Sequence, residues 1–144
     1  RQGLDEVRRS VALLREGAAA RADLLQTLAA LAQESSQAGL PTQLEVDGCP
    51  RHIPEPIEFT LYRAAQEALT NARRHARASE AQLRLCFAAD EVQLDVLDDG
   101  VGNPAPVPGF GFIGLRERAE LIGARLEIGA GPQRGFHVRL SVRA

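Results

Sequence analysis

The longest amphipathic stretch of the sequence, about residues 56–76, limits the folds that this chain can adopt. Apolar side chains recur along it at helical spacing and form one stripe. The members of the stripe are Ile57, Leu61, Ala65, Ala68, Leu69, Ala72 and Ala76. A helix gains most of its stability by packing such a face against another element. The chain must therefore supply a second layer that covers a helix running from Pro56 to Ala76.

The second layer is predicted to be a sheet, because the later segments alternate apolar and polar residues. Strands are expected at about 81–87, 92–96, 125–129 and 136–142, with a short earlier strand at 42–46. Two further helices are expected at about 18–37 and 113–122. This order predicts an α/β fold, a two-layer α/β sandwich with helices on one face of a mixed, mostly antiparallel sheet.

The composition fits one globular domain and argues against several classes of partner. The chain has 144 residues, 44% of them hydrophobic, and a net charge of −2, so a broad affinity for nucleic acid or membranes is not expected. Cys49 and Cys86 match no metal-ligand spacing and are interpreted as free cytosolic thiols. No apolar run is long enough to span a membrane, so a cytoplasmic domain is expected.

Residues 1–17 are predicted to be a separate helical stub, and residues 18–144 to be the domain. Leu4, Val7, Val11 and Leu14 follow the spacing of a coiled-coil seam, which is too short to hold a dimer alone. A short free-standing amphipathic helix is the alternative. Because the chain begins at Arg1 within this pattern, we expect a longer protein, which could be anchored in a membrane.

Glu67, Asn71 and Arg74 lie along one edge of the central helix, at positions i, i+4 and i+7. They are expected to be half exposed, and a solvated edge with a local ion pair is the simpler interpretation. Asn is a poor helix former, however, and nothing local compensates for it. Alternatively, the carboxylate could bind water, the amide oxygen could bind Mg²⁺, and the guanidinium could bind phosphate. Both interpretations remain open from these residues alone.

Asp98 is expected at the end of a buried row, because counting by twos from Val92 through Val96 leads to it. A buried carboxylate needs a fixed donor. That donor could be the following loop, which Asp98 would cap, or the exocyclic amino group of a purine. Gly100 and Gly102 would let the backbone approach such a ligand.

The stretch GFGFIGLRER, residues 109–118, formally matches a GxGxxG pattern that opens a helix. A proline-broken loop precedes it, so the dinucleotide-binding interpretation fails on context. A loop without ligand and a phosphate site at a helix N-terminus both remain possible. None of the three histidines, His52, His75 and His137, has metal-ligand spacing, and for His75 a structural role competes with a phosphate contact.

In this order, the three motifs resemble the nucleotide-binding boxes of the GHKL ATPase superfamily, which has the Bergerat fold. The resemblance is strongest to the catalytic domain of bacterial two-component sensor histidine kinases, in the subfamily that pairs with helix-turn-helix response regulators. YRAAQEALTNARRHARAS resembles an N box, VLDDGVG a G1 box, and GFGFIGLRERAELIGARL a G2 box. Three ordered boxes are far more specific than any one of them.

The resemblance implies that ATP and Mg²⁺ are bound. On the helix, Asn71 would coordinate Mg²⁺ between the phosphates, and Glu67 would be the catalytic residue near the γ-phosphate. Arg74, together with His75, would contact phosphate. Asp98 would accept a hydrogen bond from the adenine amino group.

The glycines would shape the rest of the pocket. Gly100 and Gly102 would line the purine site, and Gly109, Gly111 and Gly114 would hinge a short lid over the triphosphate. Where family members often have a Gly-Thr pair in a third glycine box, this chain has Gly135-Phe136.

The resemblance thus implies a kinase domain that transfers the γ-phosphoryl group to a histidine outside this chain, on the phosphoacceptor helix of the same full-length kinase. The phosphoryl group would then pass to an aspartate of a response regulator, and the full-length kinase would be a homodimer. No histidine followed by an acidic residue is present in this chain. The alternatives are a GHKL serine kinase or ATPase of the anti-sigma type, and a non-catalytic ATP-binding interaction module.

Overall fold

The computed structural model describes residues 20–75, 78–100, 110–130 and 135–144. Within them lie three helices and five strands. The helices are α1 (Ala20–Gln37), α2 (Glu55–His75) and α3 (Phe110–Leu121). The strands are β1 (Thr42–Gly48), β2 (Ala81–Phe87), β3 (Glu91–Asp98), β4 (Arg125–Ala130) and β5 (Phe136–Arg143). The predicted stub at 1–17 lies outside the described residues.

The five strands form one sheet in the order β1-β2-β3-β5-β4. β1 runs parallel to β2, and every other neighbouring pair is antiparallel. Strands β2, β3 and β5 therefore occupy interior positions, and β1 and β4 form the edges. The prediction of a mixed, mostly antiparallel sheet in an α/β fold is confirmed.

One face of the sheet is buried beneath the helices. The side chains at alternate positions of β2, β3 and β5 are nearly inaccessible to solvent, as the alternation predicts. They include Ala81, Leu83, Leu85, Phe87, Val92, Leu94, Val96, Phe136, Val138, Leu140 and Val142. Against them packs α2, whose Leu61, Ala65 and Leu69 are completely buried. The central helix therefore rests on the sheet in the way that its stripe requires.

The start of α3 differs from the prediction, which placed it near Ile113. The helix already begins at Phe110, so that Gly111 and Gly114 lie within it. Glycine in a helix costs about 1 kcal/mol relative to alanine. Burial of Phe112 and Leu115 opposes that cost, and the ring of Phe112 lies 6.3 Å from that of Phe136.

β1 also extends beyond its predicted end at residue 46 and includes Asp47 and Gly48. Both residues pair with β2, opposite Cys86 and Phe87. The two added residues complete the pairing of β1 with β2, since both strands have seven residues.

Across residues 20–75, 78–100, 110–130 and 135–144, no helix is both long and apolar enough to cross a bilayer. Cys49 and Cys86 are free thiols, as predicted.

Candidate functional site

Asp98 is the last residue of β3 and its side chain faces the buried side of the sheet, with a relative exposure of 8%. Its Oδ1 atom accepts hydrogen bonds from the backbone N–H groups of Gly100, at 2.8 Å, and Phe136, at 3.2 Å. Within the described part of the chain, no group donates to Oδ2. One oxygen is thus fixed by the protein, while the other can accept a hydrogen bond from a ligand.

The environment of Asp98 acts on its ionisation in two directions. Burial raises the pKa of this carboxyl above its ordinary value, and the charge of neighbouring Asp99 adds to the increase. The N–H groups of Gly100 and Phe136 favour the ionised form and oppose the rise of the pKa. The loop-capping interpretation of Asp98 is correct for Oδ1, because Gly100 is its donor.

Gly135 is a part of this site that the sequence did not reveal. It has a positive φ of 92°, and a Cβ built on it would overlap the carbonyl oxygen of Asp98 and stand 3.1 Å from Oδ1. Only glycine lets the backbone pass so close, and this passage brings the N–H of Phe136 to the carboxylate. The sequence did contain a signal for this contact, the Gly135-Phe136 pair at the start of the last strand. Its interpretation was limited to the absence of the threonine hydroxyl group that family members often have there.

Asp99 is a second residue that the sequence did not single out. It leaves the strand beside Asp98, and its carboxylate accepts hydrogen bonds from Ser79 and Glu80, which come directly before β2. The pKa of Asp99 lies below its ordinary value, chiefly because the Ser79 side chain donates to it.

The polar edge of α2 is present as predicted, with differences between its members. Glu67 and Asn71 are half-buried, whereas Arg74 is exposed. Glu67 Oε1 lies 3.4 Å from the Nη2 atom of Arg63, so a local ion pair of the predicted kind exists. Among the residues that the structure describes, none forms a hydrogen bond with the side-chain amide of Asn71.

The packing places this edge and Asp98 on the same side of the sheet. α2 contacts β3, β5 and α3, and Asp98 points into the layer that α2 occupies. Gly100 is buried beside the carboxylate. His75 is the last residue of α2, and its side chain lies outside the described part of the chain. Gly102 and Gly109 lie outside the described residues.

Gly111 and Gly114 sit in the first turns of α3, which packs against α2. A Cβ on Gly114 would meet nothing within 4 Å, so this glycine is not required by packing.

The donor groups at the edge of α2 suit a hard cation such as Mg²⁺, which prefers oxygen ligands. They are the amide oxygen of Asn71 and the carboxylate of Glu67. Among residues 20–75, 78–100, 110–130 and 135–144, no three His, Cys, Asp or Glu side chains gather into a metal cage. A divalent cation here would need further ligands from phosphate oxygens and water, as Mg²⁺ commonly has at nucleotide sites.

The opposite face of the sheet carries a different carboxylate, Asp95, which is 7% exposed. The Nε atom of Arg139 donates to Asp95 Oδ1 at 2.7 Å, and His137 Nε2 lies 2.7 Å from the same oxygen. Burial alone would raise the pKa of Asp95, but hydrogen bonds from Arg139, His137 and Gln93 together hold it below its ordinary value. This group is fully engaged with its neighbours and binds the interior strands to each other. His137 points away from the core.

The sequence and the fold are similar to those of known proteins. The profile of the family described as histidine kinase-, DNA gyrase B-, and HSP90-like ATPase matches residues 57–144. The sensor histidine kinase LnrJ of Bacillus subtilis (strain 168) is 36% identical over 139 residues, covering 96% of this chain and 34% of LnrJ. DegS of Brevibacillus brevis, a signal transduction histidine-protein kinase/phosphatase, is 28% identical over 146 residues, covering 99% of this chain and 38% of DegS. The chain spans about a third of the length of these relatives.

Solved structures share the fold. The histidine kinase domain of the blue-light activated histidine kinase EL346 from Erythrobacter litoralis superposes with a TM-score of 0.63 at 20% identity, covering 83% of this chain and 62% of that one. The cytoplasmic segment of the histidine kinase QseC gives a TM-score of 0.59 at 22% identity, covering 83% of this chain and 72% of that one.

Proposed function

The chain belongs to the histidine kinase-, DNA gyrase B- and HSP90-like ATPase family, and from this premise we propose that it is the ATP-binding catalytic domain of a bacterial sensor histidine kinase. The curated relatives named above are sensor or signal-transduction histidine kinases, which supports this choice within the family. The domain transfers the γ-phosphoryl group of ATP to a histidine outside this chain.

The observation that supports the proposal most is the carboxylate of Asp98, whose two oxygen atoms have different surroundings. Gly100 and Phe136 hold Oδ1, whereas no residue in the described part of the chain donates to Oδ2. The amino group of adenine can donate to an ionised Oδ2, whereas guanine presents a carbonyl oxygen at the same ring position and would meet the carboxylate with repulsion. Asp98 therefore selects adenine nucleotides.

The edge of α2 acts on the other end of the nucleotide. Asn71 offers its free amide oxygen to Mg²⁺, and exposed Arg74, with His75, contacts phosphate oxygens. Bound Mg²⁺ neutralises charge on the phosphates. Glu67, close to the γ-phosphoryl group, orients the incoming acceptor group. Phosphoryl transfer needs mainly positioning and charge neutralisation from the protein, and these residues provide both.

The glycines complete the pocket. Gly100 and Gly102 line the purine, and Gly109, Gly111 and Gly114 belong to the lid region that covers the triphosphate. Since Gly111 and Gly114 lie in α3, movement of the lid would involve the first turns of this helix.

The partners follow from the reaction. The phosphoacceptor helix of the same full-length kinase receives the phosphoryl group, and a response regulator with a helix-turn-helix output domain takes it from there. The full-length protein acts as a homodimer, with this domain in the cytoplasm. A serine kinase of the anti-sigma type would instead phosphorylate a hydroxyl group, and a non-catalytic module would transfer nothing.

Two measurements test the proposal. In a calorimetric titration, ATP should bind at least about tenfold more tightly than GTP, because one buried charged hydrogen bond separates them. Comparable affinities would remove the adenine role of Asp98. The chain should then be incubated with labelled ATP and a separate two-helix protein that carries a histidine followed by an acidic residue. Acid-labile, base-stable labelling of that protein is expected; acid-stable labelling would indicate a serine kinase.

A further inference from the structure

Asp99 connects two segments that are distant in sequence. Its Oδ1 atom accepts hydrogen bonds from the backbone N–H groups of Ser79, at 2.8 Å, and Glu80, at 3.0 Å. The hydroxyl group of Ser79 donates to Oδ2. In the other direction, the N–H of Asp99 donates to the carbonyl oxygen of Glu80 at 3.3 Å. We call this group of contacts the Asp99–Ser79 clamp.

The clamp continues the sheet beyond its last regular pair. Ala81, the first residue of β2, is the register partner of Asp98 at the end of β3. A backbone ladder alone would fray here, because terminal pairs lack a neighbour on one side. The carboxylate of Asp99 is held ionised by these donors, and charge-assisted hydrogen bonds are roughly twice as strong as neutral ones.

The two segments belong to different halves of the proposed nucleotide site. Asp99 is covalently next to Asp98, which reads adenine. Ser79 follows closely after His75, where α2 ends, and α2 carries Asn71 on the phosphate side. We infer that Asp99 is a positioning residue, which fixes the phosphate-binding helix at the distance from the adenine site that a bound ATP requires. This inference rests on the proposed function.

The physical reason is that ATP spans both halves of the proposed nucleotide site, whereas adenosine does not. ATP contacts the adenine site and the edge of α2 together, so a loosened connection must be ordered again each time that ATP binds. Adenosine occupies only the adenine side and does not bear this cost. Loss of the clamp should therefore weaken ATP much more than adenosine, and a residue with a merely structural role would not produce this difference.

The test uses the 144-residue chain and calorimetric titration with Mg²⁺-ATP and with adenosine. Asp99→Ala should weaken ATP binding about tenfold and adenosine binding by less than about twofold. Ser79→Ala removes only the hydroxyl donor and keeps both backbone donors, so it should weaken ATP binding about threefold. Adding Ser79→Ala to Asp99→Ala should cause no further loss, because the hydroxyl group has then lost its acceptor.

A matched control is Asp90→Ala at the opposite end of β3. Asp90 is an exposed aspartate that lies 3.5 Å from Arg143, and its removal should leave both affinities unchanged. If Asp99→Ala is not folded by circular dichroism, Ser79→Ala decides the question.

Two results would overturn the inference: equal loss of ATP and adenosine affinity in the variants, or unchanged ATP affinity in both. Failure of the proposed function looks different, since the wild-type chain itself would then bind neither ATP nor adenosine.

Discussion

Gly135 and Asp98 approach each other so closely that no other residue fits in place of the glycine. A Cβ on Gly135 would stand 2.7 Å from the carbonyl carbon of Asp98 and overlap its oxygen. This approach brings the N–H of Phe136 to Asp98 Oδ1, while no residue in the described part of the chain donates to Oδ2. The entry into β5 is therefore part of the site, although it is far from Asp98 in sequence.

Gly135→Ala should destabilise the chain and weaken ATP binding. The positive φ alone is expected to cost about 1–3 kcal/mol in a residue with a Cβ, and the overlap with Asp98 adds to this. The free energy of unfolding from urea denaturation and the ATP affinity are the measurements. Gly129→Ala is the matched control, because a Cβ at Gly129 meets nothing within 4 Å. Equal effects of the two substitutions would contradict the assigned contact.

Asp98→Asn should abolish most ATP binding without unfolding the protein. The Asn side-chain oxygen can still accept from Gly100 and Phe136, but its NH₂ group then faces the amino group of adenine. We expect the ATP affinity to fall about ten- to a hundredfold. The thermal midpoint should stay the same or rise, because a buried charge with a raised pKa is removed. A collapse of the thermal midpoint would mean that Asp98 is mainly structural.

Asn71→Ala should remove the tightening of ATP binding by Mg²⁺ and leave metal-free binding largely intact. The reason is that Asn71 is proposed to supply its amide oxygen to the cation, and no residue in the described part of the chain bonds to this side-chain amide. The ratio of ATP affinities with and without Mg²⁺ is the readout. Arg73→Ala, an exposed position on the same helix, should keep the wild-type ratio. If Asn71→Ala keeps it too, the cation is held elsewhere.

Asp95 should make the stability of the fold sensitive to acid. Its pKa is lower in the folded than in the unfolded chain, so the unfolded chain takes up the proton first as the pH falls. The stabilisation is complete above the unfolded value of about 3.9 and is lost as the pH falls through the folded pKa. Urea denaturation between about pH 6 and 3 should show a shallower loss for Asp95→Asn than for the wild type. If the unfolding free energy of the wild type and of Asp95→Asn depends on pH in the same way, Asp95 does not cause the acid sensitivity.

Local patterns predicted those features that depend on neighbours in sequence. The stripe of α2 and the alternation of β3 were sufficient to place Asp98 in the core and Asn71 at the rim of the helix. Both placements follow from the periodicity of helices and strands. This periodicity decides which way a side chain points and does not depend on the segments that pack against it.

The features that were not predicted depend on contacts between distant segments. Phe136 reaches Asp98 across a separation of 38 residues, and Asp99 reaches Ser79 across 20. No periodicity connects such positions. The earlier start of α3 has the same origin. Phe112 packs against Phe136, which is distant in sequence, and helix propensity alone does not reflect such a contact.

The sheet order has a consequence for which parts of the domain should change their dynamics when ATP binds. Asp98 ends β3 and its N–H donor Phe136 begins β5, and these are two of the three strands that are paired on both sides. Amides in such strands exchange with deuterated solvent only in rare, large openings of a domain, whereas helix ends exchange readily. The proposed adenine contact therefore lies where these strands end, next to the most protected part of the sheet. If ATP binds as proposed, the exchange protection that it causes should be concentrated in α2 and α3 rather than in the centre of the sheet.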